Sequence, residues 1–313
     1  MSFSMSPFPL RFGSRQGGGG GSAPDPDLVL VYDTSLAAGE DVEIPLFGTV
    51  NVSVDWGDAQ SDDYTTAGVK AHTYAAPGTY TVRISGSLTG FGYQAATGTA
   101  ARIAKLTQCT SFGDIGLTSL DGGFKGASNL TVAPASLPST VTNLASVFNG
   151  CSTFNYDIGG WNTASVTNLT AAFAGCALFN KYIGGWNITS VTTMSSLFLN
   201  AGSFNQNLSA WDTSNVESMI SMFLNAASFN QSLATFDLSG LTASSRLNGI
   251  ANGAAIDTAN YDATLIAWNA AKAGYRSDLS PHFGASKYSA GAAATARAAL
   301  VTYGWSFTDG GQV

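Results

Sequence analysis

Charge is what this chain has least of. Only 11% of its 313 residues are Asp, Glu, Lys or Arg, against roughly 25% in an average soluble domain. A helical protein laced with surface ion pairs is not expected. The polar surface has to come from Ser, Thr, Asn and Gly, short side chains that suit the turns and ladders of stacked β architectures. Lys and Arg total 13 and form no stripe, so nucleic-acid binding is not expected. Three cysteines, Cys109, Cys151 and Cys176, with no C-x-x-C spacing, make neither a disulfide framework nor a structural zinc site. The first residues lack a charged segment followed by an apolar one, so no secretory signal is expected. Nor does any apolar run reach the roughly 18 residues that span a bilayer.

Catalytic patterns are missing as well. There is no HExxH, GxSxG, Walker loop or GxGxxG. Glycoside hydrolysis needs two convergent carboxylates, and acids are few in the repeats described below: Asp157, Asp212, Glu217 and Asp237. No catalytic residue, cofactor or metal is expected. His72 reads as a hydrogen-bonded structural histidine, and His282 beside Pro281 has no second ligand nearby in sequence.

What the chain does have is 45% hydrophobic residues, enough for a substantial core, and a net charge of −7. Ten of its acids lie between Asp25 and Asp63 with no Lys or Arg among them. That stretch reads as a solvated strand-and-loop face, with cation binding or avoidance of anionic surfaces as alternatives.

Four segments follow one another. Residues 1–26 form an arm in which Phe3, Phe8, Leu10 and Phe12 alternate with Arg11 and Arg15, followed by five glycines, Gly17 to Gly21. Glycine runs hold no single conformation. The arm is a disordered tail or, the favoured reading, a docking arm that inserts Phe3, Phe8, Leu10, Arg11, Phe12 and Arg15 into a neighbouring subunit.

Residues 27–100 alternate as strands do, in Val50-Asn51-Val52-Ser53-Val54-Asp55-Trp56 and Tyr80-Thr81-Val82-Arg83-Ile84. Asp55 and Asp58 are placed to bond turn amides, and Tyr74 and Tyr80 to pack across a Pro77-Gly78 turn. Val54-Asp55-Trp56-Gly57-Asp58, followed by His72-Thr73-Tyr74-Ala75-Ala76-Pro77-Gly78-Thr79-Tyr80-Thr81-Val82, resembles the signature of PKD-type immunoglobulin-like domains, with Ala59 replacing the family's usual glycine. The resemblance covers about 30 residues. It implies a β-sandwich of the kind that serves as spacer or adhesive module.

Residues 101–247 carry the strongest pattern. Units of 25 residues begin at Phe148, Phe173, Phe198 and Phe223 without insertion, and a degenerate unit begins at Phe124. A fixed period of this size marks a stack of coils in which in-phase residues become rows. Phe148, Phe173, Phe198 and Phe223 make one row; Phe154, Phe179, Phe204 and Phe229 a second; Trp161, Trp186, Trp211 and Phe236 a third. Burial at roughly 1.5–3 kcal/mol per large side chain would make a stiff column. Asn155, Asn180, Asn205 and Asn230 form a polar row expected to turn inward onto unpaired backbone groups. The Asn162, Asn187, Asp212 and Asp237 row is expected to serve the next corner. Cys151 and Cys176 share a slot that Ala201 and Ala226 fill later, which favours small buried thiols over a disulfide.

The unit F-N-x-x-[IL]-x-x-W-[ND]-T-S-x-V-x-x-M-x-x-M-F, clearest from Phe204 to Phe223, closely resembles the BspA-like leucine-rich repeats of bacterial surface and phage proteins. With the PKD-type likeness it implies a mainly β chain: an immunoglobulin-like β-sandwich, a leucine-rich-repeat-type solenoid and a small α/β C-terminal cap at residues 248–313. In that cap, helices are expected from Asp257 to Gly274 and from Ser289 to Gly304, and a short strand at Trp305 to Thr308.

The resemblance implies attachment or display. The first expectation is a non-enzymatic bacteriophage virion protein: a capsid decoration protein, head fibre or tail fibre. Its arm would hold other virion proteins, and its repeats would meet a host-surface glycan or protein. A homo-oligomer or larger assembly is expected, with no nucleic acid and no membrane as partner. A bacterial cell-surface adhesin is the alternative, and a carbohydrate-active enzyme a distant third. Exposed Tyr and Asn side chains suit sugars, but outward repeat positions vary too freely to single out a site.

Overall fold

The computed structural model describes residues 25–94 and 98–313; the docking arm with Phe3, Phe8, Leu10, Arg11, Phe12 and Arg15 lies outside them. The chain is mainly β, with an open antiparallel sheet and few helices.

Six strands make that sheet: β1 Leu28–Asp33, β2 Asp41–Asp55, β3 Ser61–Tyr64, β4 Gly68–Thr73, β5 Thr79–Phe91 and β6 Leu106–Phe112. Their order is β3-β2-β5-β1-β6, and β4 pairs with the first half of β2. Alternation explains the second half of β2, where Val50, Val52 and Val54 are buried and Asn51, Ser53 and Asp55 are exposed. Between the halves the register shifts at Gly48, whose φ of +71° a side chain would resist. At the far end Trp56 stacks on His72 at 4.7 Å, and Tyr74 on Tyr80 at 3.6 Å. Asp55 accepts the Gly57 amide and Asp58 the Gln60 amide, as the turn chemistry requires. Ala59, which replaces the expected glycine, holds the glycine-like φ of +68°.

The sheet does not stop at residue 100. After the short helix α1, Ala100–Ile103, strand β6 returns to pair with β1. Its free edge then starts the next architecture: Gln108 bridges Val132 in parallel, and Gly90 of β5 bridges Ser119. Residues 106–112 thus belong to both parts, because a strand has two hydrogen-bonding edges.

From there each 25-residue segment lies beside the previous one. Parallel bridges run Ser119–Asn143–Asn168–Thr193–Ser218. Phe148 N–H donates to Ala172, Phe173 to Leu197 and Phe198 to Met222, at 2.8–3.0 Å. These contacts are single-residue bridges between turns, not extended strands. The cause is a repeated left-handed residue: Ser146, Ala171, Ser196 and Ser221 have φ of +53° to +57°, with Gly122 in phase one unit earlier. A second left-handed position holds Gly126, Gly150, Gly175, Asn200 and Asn225. Two such kinks fold each unit back on itself before a strand can lengthen.

The two phenylalanine rows are continuous. Successive rings of Phe148, Phe173, Phe198 and Phe223 lie 5.6–5.7 Å apart, and those of Phe154, Phe179, Phe204 and Phe229 5.9–6.2 Å apart. Trp161 and Trp186 stack at 6.2 Å with parallel planes; with Trp211 they are at most 3% exposed.

The asparagine row departs from expectation. Asn155 and Asn180 are exposed, not turned inward. Their side-chain oxygens run along the stack instead: Asn155 accepts the backbone N–H of Asn180, Asn180 that of Asn205 and Asn205 that of Asn230, at 2.8–3.0 Å. Aromatic and aliphatic side chains fill the interior, so the amide is better placed at the rim, where its remaining donors meet water. The Asn162, Asn187, Asp212 and Asp237 row does cap corners, each accepting the amide two residues on.

The C-terminal segment continues the same ladder. Phe223 N–H donates to Ile250, Ala251 to His282 and Phe283 to Thr308. Helix α2, Thr258–Ala271, and helix α3, Ala292–Tyr303, are inserted between these rungs and pack on each other. Asp257 caps α2 by accepting the Asn260 amide, and Gly304, at φ +115°, ends α3. Thr308 is a single bridge to His282 rather than a strand.

Candidate interaction surface

No concentration of reactive groups stands out among the described residues. The groupings around His72, Glu43 and Asp309 are hydrogen-bonded, whereas Glu40 Oε2 is buried without a partner. His72 Nε2 lies 2.8 Å from Asp58 Oδ2. Burial pushes the Asp58 carboxyl up, but the His72 and Gln60 hydrogen bonds prevail and hold it below the usual carboxylate value. Glu43, 2% exposed, accepts the Tyr93 hydroxyl and the Thr99 amide. In the cap, Asp309 accepts from Tyr261 at 2.8 Å and from Arg297 at 2.7 Å. Burial, with the Asp309 charge, pushes the Tyr261 phenol well up. His282 Nδ1 takes the Gly284 amide, a turn contact.

Within the acidic stretch, Asp25 and Asp27 share Arg83, and Asp41 meets Arg102. Among the described residues no group of three or more His, Cys, Asp or Glu is disposed to hold a metal ion, and no helix is long and apolar enough to cross a membrane. Cys151 and Cys176 are free and buried; their thiols donate to the Phe124 and Phe148 carbonyls at 3.0 and 2.9 Å, and burial pushes both thiols up.

The outside of the stack carries rows of its own. One face carries Thr118, Thr142, Thr167 and Thr192, all exposed, each hydroxyl donating to a backbone carbonyl one coil back at 3.0–3.4 Å. Those hydroxyls serve the ladder. Near the base a groove of about 680 Å³ opens between Phe112, Asp114, Pro134 and Pro138, with Asp25 on its wall.

The corner between the second Phe and the Trp differs. Position by position it reads Asp157, Tyr182, Asn207, Ser232, and alongside it Thr153, Leu178, Ser203, Ser228. These rows are polar except in one coil. There Tyr182 is 54% and Leu178 53% exposed, four residues apart. The Tyr182 ring lies across Gly184: a Cβ there would meet its Cε2 at 2.7 Å and its hydroxyl at 2.8 Å, and the Asn207 carbonyl at 2.5 Å. Below, a Cβ on Gly159 would meet the Tyr182 carbonyl at 2.6 Å and Asp157 Oδ1 at 3.2 Å. Gly159 and Gly184 thus leave room for the Tyr182 and Asn207 carbonyls and the Tyr182 ring, where successive coils bring Asp157, Tyr182 and Asn207 into one row. The later units carry Ser209-Ala210 and Ala234-Thr235 instead. Sequence reasoning left this corner unassigned; the signal was the break from polar consensus at 178 and 182.

A family model described as Mycoplasma protein of unknown function, DUF285, matches residues 118–236 and again residues 142–261. The two matches overlap with an offset of one unit; the first lies within the repeated segment and the second runs on into the cap. No curated protein and no solved structure matches the chain.

Proposed function

We propose that the protein is a non-enzymatic structural protein of a bacteriophage particle. Residues 101–247 are read as a leucine-rich-repeat-type solenoid, held on the particle through the N-terminal arm and presented outward for host attachment or particle stabilisation. The β-rich segment before it is read as an immunoglobulin-like sandwich that spaces the solenoid from its anchor. One observation carries most weight: a backbone ladder that passes without a break from Thr89 in the sheet, through every repeat, to Thr308 in the cap. A column closed by packed structure at both ends suits mechanical display.

Mass spectrometry of purified particles with immunogold labelling tests this. The protein is expected on the particle, and a chain lacking residues 1–24 is expected to fold but not to assemble there. Absence of the intact chain from particles rejects the reading. The likeness to a family described from mycoplasmas, which are cells, favours a second reading: a cell-surface adhesin. Fractionation placing the protein on the outside of uninfected cells would select it.

A further inference from the structure

We infer that the corner formed by Asp157, Tyr182 and Asn207 is a saccharide-binding site that seats one sugar ring of a surface glycan. The inference deepens the display reading and rests on it only for where the glycan is met.

Three observations converge. First, the exposed apolar groups have no folding role that the other coils share. The same slots hold Thr153, Ser203 and Ser228, or Asp157, Asn207 and Ser232, and those coils stack equally well. An exposed Tyr and an exposed Leu, each in an otherwise polar row, are surface kept for contact. Second, the ring is backed rather than free. It lies across Gly184, where any side chain would displace it, so it is held in place ahead of binding. Third, its neighbours in the row above and below are a carboxylate and a carboxamide, each oriented by its own turn. Asp157 Oδ1 holds the Gly159 amide at 3.0 Å, leaving Oδ2 as an acceptor. Asn207 Oδ1 holds the Ser209 amide at 2.8 Å, leaving Nδ2 as a donor.

An aromatic platform flanked by one fixed acceptor and one fixed donor matches a pyranose. Its C–H face packs on the electron-rich ring, and its hydroxyls, each both donor and acceptor, reach outward to either side. The patch is too small for a protein partner, whose stable interfaces need roughly 20–30 residues on each side. A single nearby cation, Lys181, does not make a phosphate site.

The test uses the full chain on an array of hexoses, deoxyhexoses and N-acetylated amino sugars in oligosaccharide form, followed by NMR titration of the strongest hit. Wild type is expected to bind at least one saccharide. Tyr182→Ala is expected to bind it roughly tenfold more weakly, Tyr182→Trp to retain it, and Asp157→Ala and Asn207→Ala each to weaken it. Unchanged urea midpoints confirm that folding is intact, as Tyr182 lies outside the core. No saccharide bound by wild type, or equal binding by Tyr182→Ala, overturns the site. Particle association, measured separately, is expected to survive Tyr182→Ala, so loss of sugar binding and failure of the display reading are read on different assays.

Discussion

The indole N–H of Trp211 donates to the carbonyl of Ile183, one coil back, at 3.1 Å. Trp186 does the same to Ile158 at 3.1 Å, and Trp161 to Pro134 at 2.9 Å. Each tryptophan is thus a cross-coil tie, and Trp161 and Trp186 are stacked rings as well; Phe236, next in phase, has no indole N–H to make the tie.

Trp186→Phe therefore separates the two roles. The ring row survives, while the Ile158 carbonyl loses the indole and keeps only the Trp161 amide, at 3.1 Å. A loss of about 0.5–1.5 kcal/mol, the net worth of one hydrogen bond, is expected in urea unfolding. No loss would mean that water or another donor replaces the indole.

The left-handed positions predict opposite signs for substitutions in one small region. Ala171, at φ +54°, suffers the side-chain clash that glycine avoids. Ala171→Gly is expected to raise stability by about 0.5–1 kcal/mol, and Ala171→Val to lower it by more than 1 kcal/mol. Equal effects in the same direction would show that the backbone there is not held left-handed.

These positions also mark the limit of what sequence could convey. The aromatic rows were readable because Phe and Trp recur at a fixed period and have few uses other than burial. Ser146, Ala171, Ser196 and Ser221 carry no such signal, since neither residue type prefers positive φ. The placement of the asparagines at the rim was misjudged for a related reason. An in-phase Asn bonds equally well inward or along the stack, and the period cannot tell these apart. The ladder's passage through the cap was hidden because two helices are inserted between its last rungs, which breaks the period while preserving the hydrogen bonds. The sheet's extension to Phe112 is not legible in the sequence because β1 pairs with β6 across a wide separation, from Tyr32 with Leu106 to Leu28 with Phe112. For the candidate site, composition pointed to sugars in general, but only packing brought Asp157, Tyr182 and Asn207 together.

Phe198 tests the central row. It touches Phe173, Phe204 and Phe223, and it is fully buried. Phe198→Ala is expected to lower stability by about 3–5 kcal/mol, measured by urea or thermal unfolding. A loss under 1 kcal/mol would contradict a close-packed interior.

Acid should weaken both ends of the molecule. Asp257 is held below its ordinary value by the Asn260 amide first and by Asn230 second; Asp58 is held down by His72 and Gln60 against burial. A carboxylate with a depressed folded-state value stabilises the fold at neutral pH. That contribution fades as pH falls below about 3.8 toward the folded value. Asp257→Ala is expected to cost about 1 kcal/mol at pH 7, and the gap from wild type should narrow in acid. A gap that widens there would reverse the sign.

The thiols should be silent. Burial pushes the Cys151 and Cys176 thiols up, so neither forms thiolate near neutral pH. Ellman's reagent is expected to modify them only after unfolding, and Cys151→Ala to be tolerated because Ala201 occupies that slot. Rapid native-state labelling of either would contradict their enclosure.

Since every repeat offers its successor the same row of backbone donors and acceptors, one link can be removed or duplicated without redesigning its neighbours. Deleting residues 173–197 would bring Phe198 into the place of Phe173 and carry Tyr182 away with the link. Reach is then an adjustable dimension, in steps of about 5 Å. What a given length presents at its corners becomes a choice independent of how tall it stands.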